Sequence, residues 1–368
     1  MFYLVYELFV KYDLSGQNLF RFITFRAAMA AVTALAISLF AGPFIINKLR
    51  QKQIGEEIRD DGPRTHAAKK GTPTMGGLII LASVLLPTVM WADLKNMYVL
   101  LVVLATVWMG IVGFIDDYLK AIKKMKAGLI ARYKTIGQIG LGLVIGSVIY
   151  FSPTFEPIAT VTTIPFVKNM NLDFGIFYIP MVVVVITAAS NAVNLTDGLD
   201  GLAIGIVSIA FAAFAVICYM TGNAIYSDYL NIIFIPQGAE LTIFCTAMMG
   251  AGLGFLWYNA YPAQVFMGDT GALALGSALG TIAILIKKEL LLPIIGGVFV
   301  AETLSVIIQV QYFKYTKKKY GEGRRIFNMA PLHHHFELKG WHESKVVTRF
   351  WIMAILCALL TLTTFKVR

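Results

Sequence analysis

Charge is what this sequence most lacks. Only 14% of its 368 residues are Asp, Glu, Lys or Arg, against roughly 25% in a typical soluble domain. With 58% hydrophobic residues and a mean hydropathy of +0.72, that deficit excludes an ordinary water-soluble globule. Cysteine is also scarce: Cys218, Cys245 and Cys357 each lie in an apolar run. None forms a CxxC pair or stands near a His at ligand spacing, which excludes a disulfide framework and a structural zinc site. No GxxxxGK[ST] stretch occurs, so nothing argues for ATP hydrolysis. The first apolar run starts near Phe22, is too long for a signal-peptide core and lacks a small-residue cleavage site. The net charge of +10 sits between apolar runs, so it reads as membrane topology rather than nucleic-acid binding.

What is present is a succession of apolar stretches of spanning length, about 20 residues each. They run Phe22–Ile46, Gly76–Ala92, Tyr98–Ile115, Ile136–Phe151, Phe174–Ala189, Leu202–Thr221, Leu241–Tyr258, Phe266–Ile286, Leu290–Phe313 and Val346–Phe365. The chain is expected to be an all-α polytopic membrane protein of about ten transmembrane helices in one domain. Most of the 31 basic residues fall in three loops, over 48–70, 120–134 and 314–349, while the intervening loops hold only Lys95, Lys168, Lys287 and Lys288. The positive-inside rule makes the three basic loops cytoplasmic and, with an even number of spans, puts both termini in the periplasm. The polar motifs then share the cytoplasmic side.

Asp116 and Asp117 close the third stretch in GFIDDY. Two adjacent carboxylates at a membrane boundary need a cation or water. They point about 100° apart on a helix, so one is expected to face a site and the other to do something else. A solvated helix end near Lys120 and Lys123 is the plainer reading, but negative charge opposes the dipole there. Asn191, Asn194, Asp197 and Asp200 recur every third residue in SNAVNLTDGLDGLA. A cap for the next helix explains one of them, not four. Asn259 and Asp269 flank the start of the eighth stretch, and Asp269 is a candidate Mg²⁺ ligand, since one or two carboxylates with phosphates and water suit that ion. His333, His334 and His335 stand in a basic setting that fits phosphate contacts, with metal binding or acid–base work as alternatives. Lys70 opens KGTPTMGG, where charge and backbone N–H groups can hold phosphate. Glu302, deep in the ninth stretch, is either functional or bonded to a neighbouring helix through Thr303 or Gln309.

Taken together, GTPTMGG (71–77), GFIDDY (113–118), NAVNLTDGLDGLA (191–203), VFMGDTGALALG (265–276) and APLHHHFELKGW (330–341) resemble the phospho-N-acetylmuramoyl-pentapeptide transferase (MraY) family of bacterial peptidoglycan synthesis. The resemblance runs along the whole chain, and the last motif separates this family from relatives that transfer N-acetylglucosamine phosphate. It implies UDP-MurNAc-pentapeptide as donor, undecaprenyl phosphate as acceptor, lipid I and UMP as products, Mg²⁺ as cofactor, and a homodimer in the bacterial inner membrane with its active site facing the cytoplasm. By the same resemblance Asp269 is the metal ligand. Asp116, with Asp117 beside it, acts on the lipid phosphate. Lys70, Asn191, Asp197, Asn259, His333, His334 and His335 are active-site positions, and Asp200 and Phe266 form the nucleoside pocket, Phe266 stacking on uracil. The competing readings are a sister UDP-GlcNAc transferase, and a transporter without chemistry. Transporters place ionisable residues at the midplane, whereas here only Glu302 lies deep.

Overall fold

The computed structural model describes residues 17–52, 69, 71–125, 128–156, 158–167 and 170–366. Ten helices of fifteen or more residues run through them: α1 (Ile23–Gln51), α2 (Gly77–Trp91), α3 (Met97–Ala121), α4 (Ala131–Phe151), α5 (Tyr178–Thr196), α6 (Leu202–Thr221), α7 (Leu241–Asn259), α8 (Gly268–Leu285), α9 (Gly297–Tyr320) and α10 (Glu343–Thr363). Each coincides with one of the ten apolar stretches. Eight are long and apolar enough to cross a membrane; α2 is shorter, and α9 is long but polar in its second half. The protein is an all-α polytopic membrane protein; among the described residues its only strands form one short antiparallel hairpin, Val161–Thr163 against Asn171–Asp173.

The bundle is built around α8, 89% of whose apolar window is buried. It packs against α3 and α5, while α7 packs against α1 and α6, and α10 against α6. The Ala-, Gly- and Ser-rich composition of α8 allows this, because small residues let membrane helices approach closely without a hydrophobic driving force between them. Large apolar side chains such as Phe40, Trp257 and Leu360 are exposed on the outer faces of α1, α7 and α10, as expected where lipid is the solvent.

Several boundaries differ from the sequence expectation, and the shifts matter for the site. Helix α3 does not end at Asp116 but runs on to Ala121. The two aspartates therefore lie inside the last turns, where Lys120, four residues on, pairs with Asp116. Helix α5 extends past Ala189 to Thr196, so Asn191 and Asn194 are helical while Asp197 is its C-cap. Asp200 sits in the turn beyond rather than on the same helix. The ninth stretch is broken at Gly296, after the short helix Leu292–Ile295.

The hairpin lies at the end of the bundle away from these aspartates and covers two lysines. Lys287 and Lys288 are wholly buried. Lys287 Nζ donates to the Ala159 carbonyl at 2.8 Å and to the Tyr178 hydroxyl at 2.7 Å, and Tyr178 in turn donates to Glu289 at 2.8 Å. A buried charge persists only when it is paired and hydrogen-bonded in this way.

Candidate active site

The carboxylates read from the sequence converge at one end of the bundle. One oxygen from each of Asp116, Asp117 and Asp269 lies within 4.8 Å of the others. Two backbones must meet for this to happen. Gly113, one turn before Asp116 on α3, lies against the Asp269 carbonyl, and any side chain at 113 would overlap it.

The three carboxylates are used differently. Asp117 is buried and accepts the Asp269 amide at 3.1 Å, the Thr270 amide at 2.9 Å and the Thr270 hydroxyl at 2.6 Å. It thus satisfies the orphan N–H groups that open α8. Asp116 turns the other way. Its Oδ1 accepts the Leu129 amide at 2.7 Å, and its Oδ2 faces Lys120 Nζ at 2.5 Å and Lys134 Nζ at 2.9 Å. Asp269 Oδ1 accepts from the Asn194 side chain at 2.8 Å; its Oδ2 contacts Lys134 and lies 3.4 Å from Lys120. Two carboxylate oxygens from different helices therefore share the same two ammonium groups.

This donor set suits Mg²⁺. It consists of carboxylate oxygens, and Asp116 Oδ2 and Asp269 Oδ2 face lysine tips that can move to phosphate oxygens. Mg²⁺ is commonly held by one or two carboxylates with phosphates and water completing the shell. Among the described residues, no cysteine or histidine enters the group.

A second polar group adjoins the turn between α5 and α6. Lys69 Nζ donates to Asp200 Oδ1 at 2.7 Å and to Glu343 Oε1 at 2.6 Å. Burial works to lower the Lys69 pKa, but the hydrogen bonds and charges of Asp200 and Glu343 outweigh it and raise the pKa above the ordinary lysine value. Asp200 Oδ2 accepts the Ala263 amide at 2.9 Å. Asn259 accepts the Gly201 amide at 3.0 Å and donates to the Val265 carbonyl at 2.9 Å. Phe266 follows, half-buried, its backbone paired with Pro73 and Gly76 at 2.8 Å each. The segment after Lys69 is thereby tied to the loop that leads into Asp269.

The histidines close the same surface, on a short helix, Leu332–Leu338. His333 is fully buried; its amide donates to Glu302 Oε1 at 3.2 Å, and its Nδ1 lies 3.2 Å from Glu302 Oε2. Glu302 thus meets His333, not Thr303 or Gln309, the neighbours offered as the alternative to a functional role. The other face of the His333 ring abuts Gly198, beside Asp197. His334 Nδ1 is 2.8 Å from Glu337, and His335 Nδ1 accepts the Asn328 amide at 3.1 Å. Burial and the Lys339 charge lower the His335 pKa below the ordinary histidine value. Asn191 is set apart from the carboxylates, bonded to Gln138 and to the Thr187 carbonyl. Lys70 lies outside the described residues.

A family model described as Glycosyl transferase family 4 matches residues 99–287, and Phospho-N-acetylmuramoyl-pentapeptide-transferase signature 1 matches residues 69–81. Proteins named phospho-N-acetylmuramoyl-pentapeptide-transferase are similar over the whole chain. That of Chlorobium phaeobacteroides is 54% identical over 368 residues and that of Chloroherpeton thalassium 53% over 368, covering 100% of both chains in each case. That of Chlorobium chlorochromatii is 54% identical over 357 residues, covering 97% of each chain. The chain belongs to the phospho-N-acetylmuramoyl-pentapeptide transferase family.

Within this family member the lysines carry what sequence reasoning missed. Lys120 and Lys134 look like two among many bases of a cytoplasmic loop. Nothing in their spacing shows that one sits one turn beyond Asp116 and the other at the start of α4, facing the same carboxylates. Lys69 was missed too: its neighbour Lys70 was chosen instead, although Lys69 opens the matched signature. Glu343 carried no signal at all.

Proposed function

We propose that the chain transfers phospho-MurNAc-pentapeptide from UDP-MurNAc-pentapeptide to undecaprenyl phosphate, giving lipid I and UMP. The reaction is Mg²⁺-dependent and runs at the cytoplasmic side of the bacterial inner membrane, in a homodimer. The observation that carries the reading is the shared pairing of Asp116 and Asp269 with Lys120 and Lys134, on a chain of this family.

An oxygen of the lipid phosphate attacks the sugar-side phosphorus. The bond from that phosphorus to the bridging oxygen breaks, and UMP leaves with the oxygen. One phosphoanhydride replaces another, so the exchange needs no ATP. Both reactants are anions, and their repulsion is the main obstacle. Lys120 and Lys134 supply positive charge where phosphates meet. Mg²⁺, held by Asp269 and Asp116, would neutralise further charge on the diphosphate. A phosphate monoester loses its second proton near pH ~6, so the acceptor is mostly dianionic at neutral pH. Asp116 is left to position it or to take a residual proton. Asp117 holds Asp269 in place through the start of α8. Direct attack by the lipid phosphate is favoured over a phospho-aspartate because a dianionic acceptor is itself a competent nucleophile and needs no covalent relay.

The test is UMP release by the purified protein from both substrates, with and without Mg²⁺. Turnover should require the metal and fall at least ~100-fold in Asp269→Ala and Asp116→Asn. Full turnover in Asp269→Ala, or lipid movement without UMP, would overturn the reading. Radiolabelled phospho-sugar trapped on the protein without acceptor would replace direct attack by the two-step route.

A further inference from the structure

Glu343 is the first residue of α10, two residues past the APLHHHFELKGW stretch, yet it reaches into the turn between α5 and α6. Its side chain is only 6% exposed. A glutamate at a helix start ordinarily serves its own helix, by charge or by capping amides. Here, among the described residues, its hydrogen bonds run elsewhere. The same oxygen, Oε1, accepts Lys69 Nζ at 2.6 Å and the Asp200 amide at 2.8 Å. Lys69 closes the ring by donating to Asp200 Oδ1 at 2.7 Å. Helix α10 can hold such a point because it is docked firmly on α6: Trp351 packs so closely on Gly205 that a Cβ there would collide with its indole.

We propose that Glu343 is a positioning residue for the nucleotide end of the donor, acting through Lys69 and Asp200. The inference rests on the transferase reading above. Two consecutive amides of the turn, those of Asp200 and Gly201, are held from outside, by Glu343 and Asn259 respectively. Asn259 also fixes the Val265 carbonyl, and so the approach to Phe266. Glu343 does for one side of the turn what Asn259 does for the other.

Charge gives the second part of the argument. Two carboxylates share one ammonium group. A uracil ring offers an imide N–H, which needs an acceptor, and two carbonyls, which need donors. Asp200 and Lys69 can supply both only if Lys69 does not collapse wholly onto Asp200. Glu343 divides the ammonium between two acceptors and so keeps Asp200 able to accept from a base. Without the Glu343 charge, Lys69 pairs with Asp200 alone and the acceptor is lost.

The test is steady-state kinetics of the full-length protein in detergent with lipid acceptor, comparing wild type with Glu343→Gln. The substitution keeps size and a carbonyl acceptor but removes the charge. The donor KM should rise about 10-fold, the magnitude of one lost charge-assisted hydrogen bond. The kcat at saturating donor should stay within about 2-fold, and the acceptor KM should not move. UMP binding measured by calorimetry should weaken by the same factor as the donor KM. An unchanged donor KM in a folded, active variant overturns the proposal. So does a parallel fall in kcat and in both kcat/KM values with a lowered melting temperature, because that is what a merely structural glutamate gives. If wild type itself releases no UMP from the donor, the transferase reading has failed, and the positioning role falls with it.

Discussion

Asp117 and Thr270 are bonded twice, the carboxylate of one accepting both the amide and the hydroxyl of the other at 2.9 and 2.6 Å. This double contact across α3 and α8 separates the two adjacent aspartates by role. Asp117 serves the fold of the site, and Asp116 faces Lys120 and Lys134, where the proposed reaction puts phosphates and metal.

The two asparagine variants should therefore fail differently. Asp117→Asn puts an amide where three donors converge, so α8 loses its cap. It should cost about 1–2 kcal/mol of stability along with activity. Asp116→Asn should lose activity with little change in the melting temperature. Thermal unfolding in detergent beside UMP release checks both. Equal destabilisation of the two variants would erase the distinction.

Lys134 should prove as important as the aspartates. It contacts Asp269 and lies 2.9 Å from Asp116, so it would be placed to meet phosphate if these carboxylates held Mg²⁺. Lys134→Met should lower kcat by about 10²- to 10³-fold, the usual loss for one preorganised donor. Chelation of Mg²⁺ by EDTA should stop wild-type turnover, and added Mg²⁺ should restore it. A variant with wild-type kcat would return Lys134 to the status of a topology charge.

The helices were readable because the bilayer leaves so few solutions: apolar runs of spanning length become helices whatever their neighbours. The acidic members of the site were readable because Asp116, Asp117 and Asp269 sit where a carboxylate is costly without a reason. Their division of labour was not, since it depends on whether α3 stops at Asp116 or turns once more to Lys120. A cap or a lysine decides that boundary, and hydropathy does not register it. Glu343 illustrates the remainder. Its partners Lys69 and Asp200 are 274 and 143 residues away, and only the docking of α10 on α6 brings them together.

At the opposite end of the bundle, burial lowers the Lys287 pKa to about 8 despite the nearby Glu289 charge. The unfolded chain keeps this proton up to about pH 10.4. Between about pH 8 and ~10.4 the unfolded state therefore binds more protons, and the penalty for burying Lys287 is relieved as pH rises. Relative to Lys287→Met, wild type should gain melting temperature across that window and show a constant difference below it. Parallel curves throughout would mean that Lys287 titrates as in solvent.

The buried pair of Glu302 and His333 supplies the last prediction. Glu302 on α9 accepts the His333 amide, and its second oxygen lies 3.2 Å from the ring, while the other side of the ring rests on Gly198. Removing either partner leaves a polar group stranded away from water, which costs about 1–3 kcal/mol. Because Gly198 adjoins Asp197, the loss should reach the active site as well as the fold. Glu302→Ala and His333→Ala should each destabilise the protein, and the double variant should cost less than the two losses added together. The coupling should amount to about 1–3 kcal/mol, as for residues in direct contact. Simple additivity in the melting curves would show that the carboxylate and the ring act independently, and that the packing of His333 on Gly198 is set by the short helix alone.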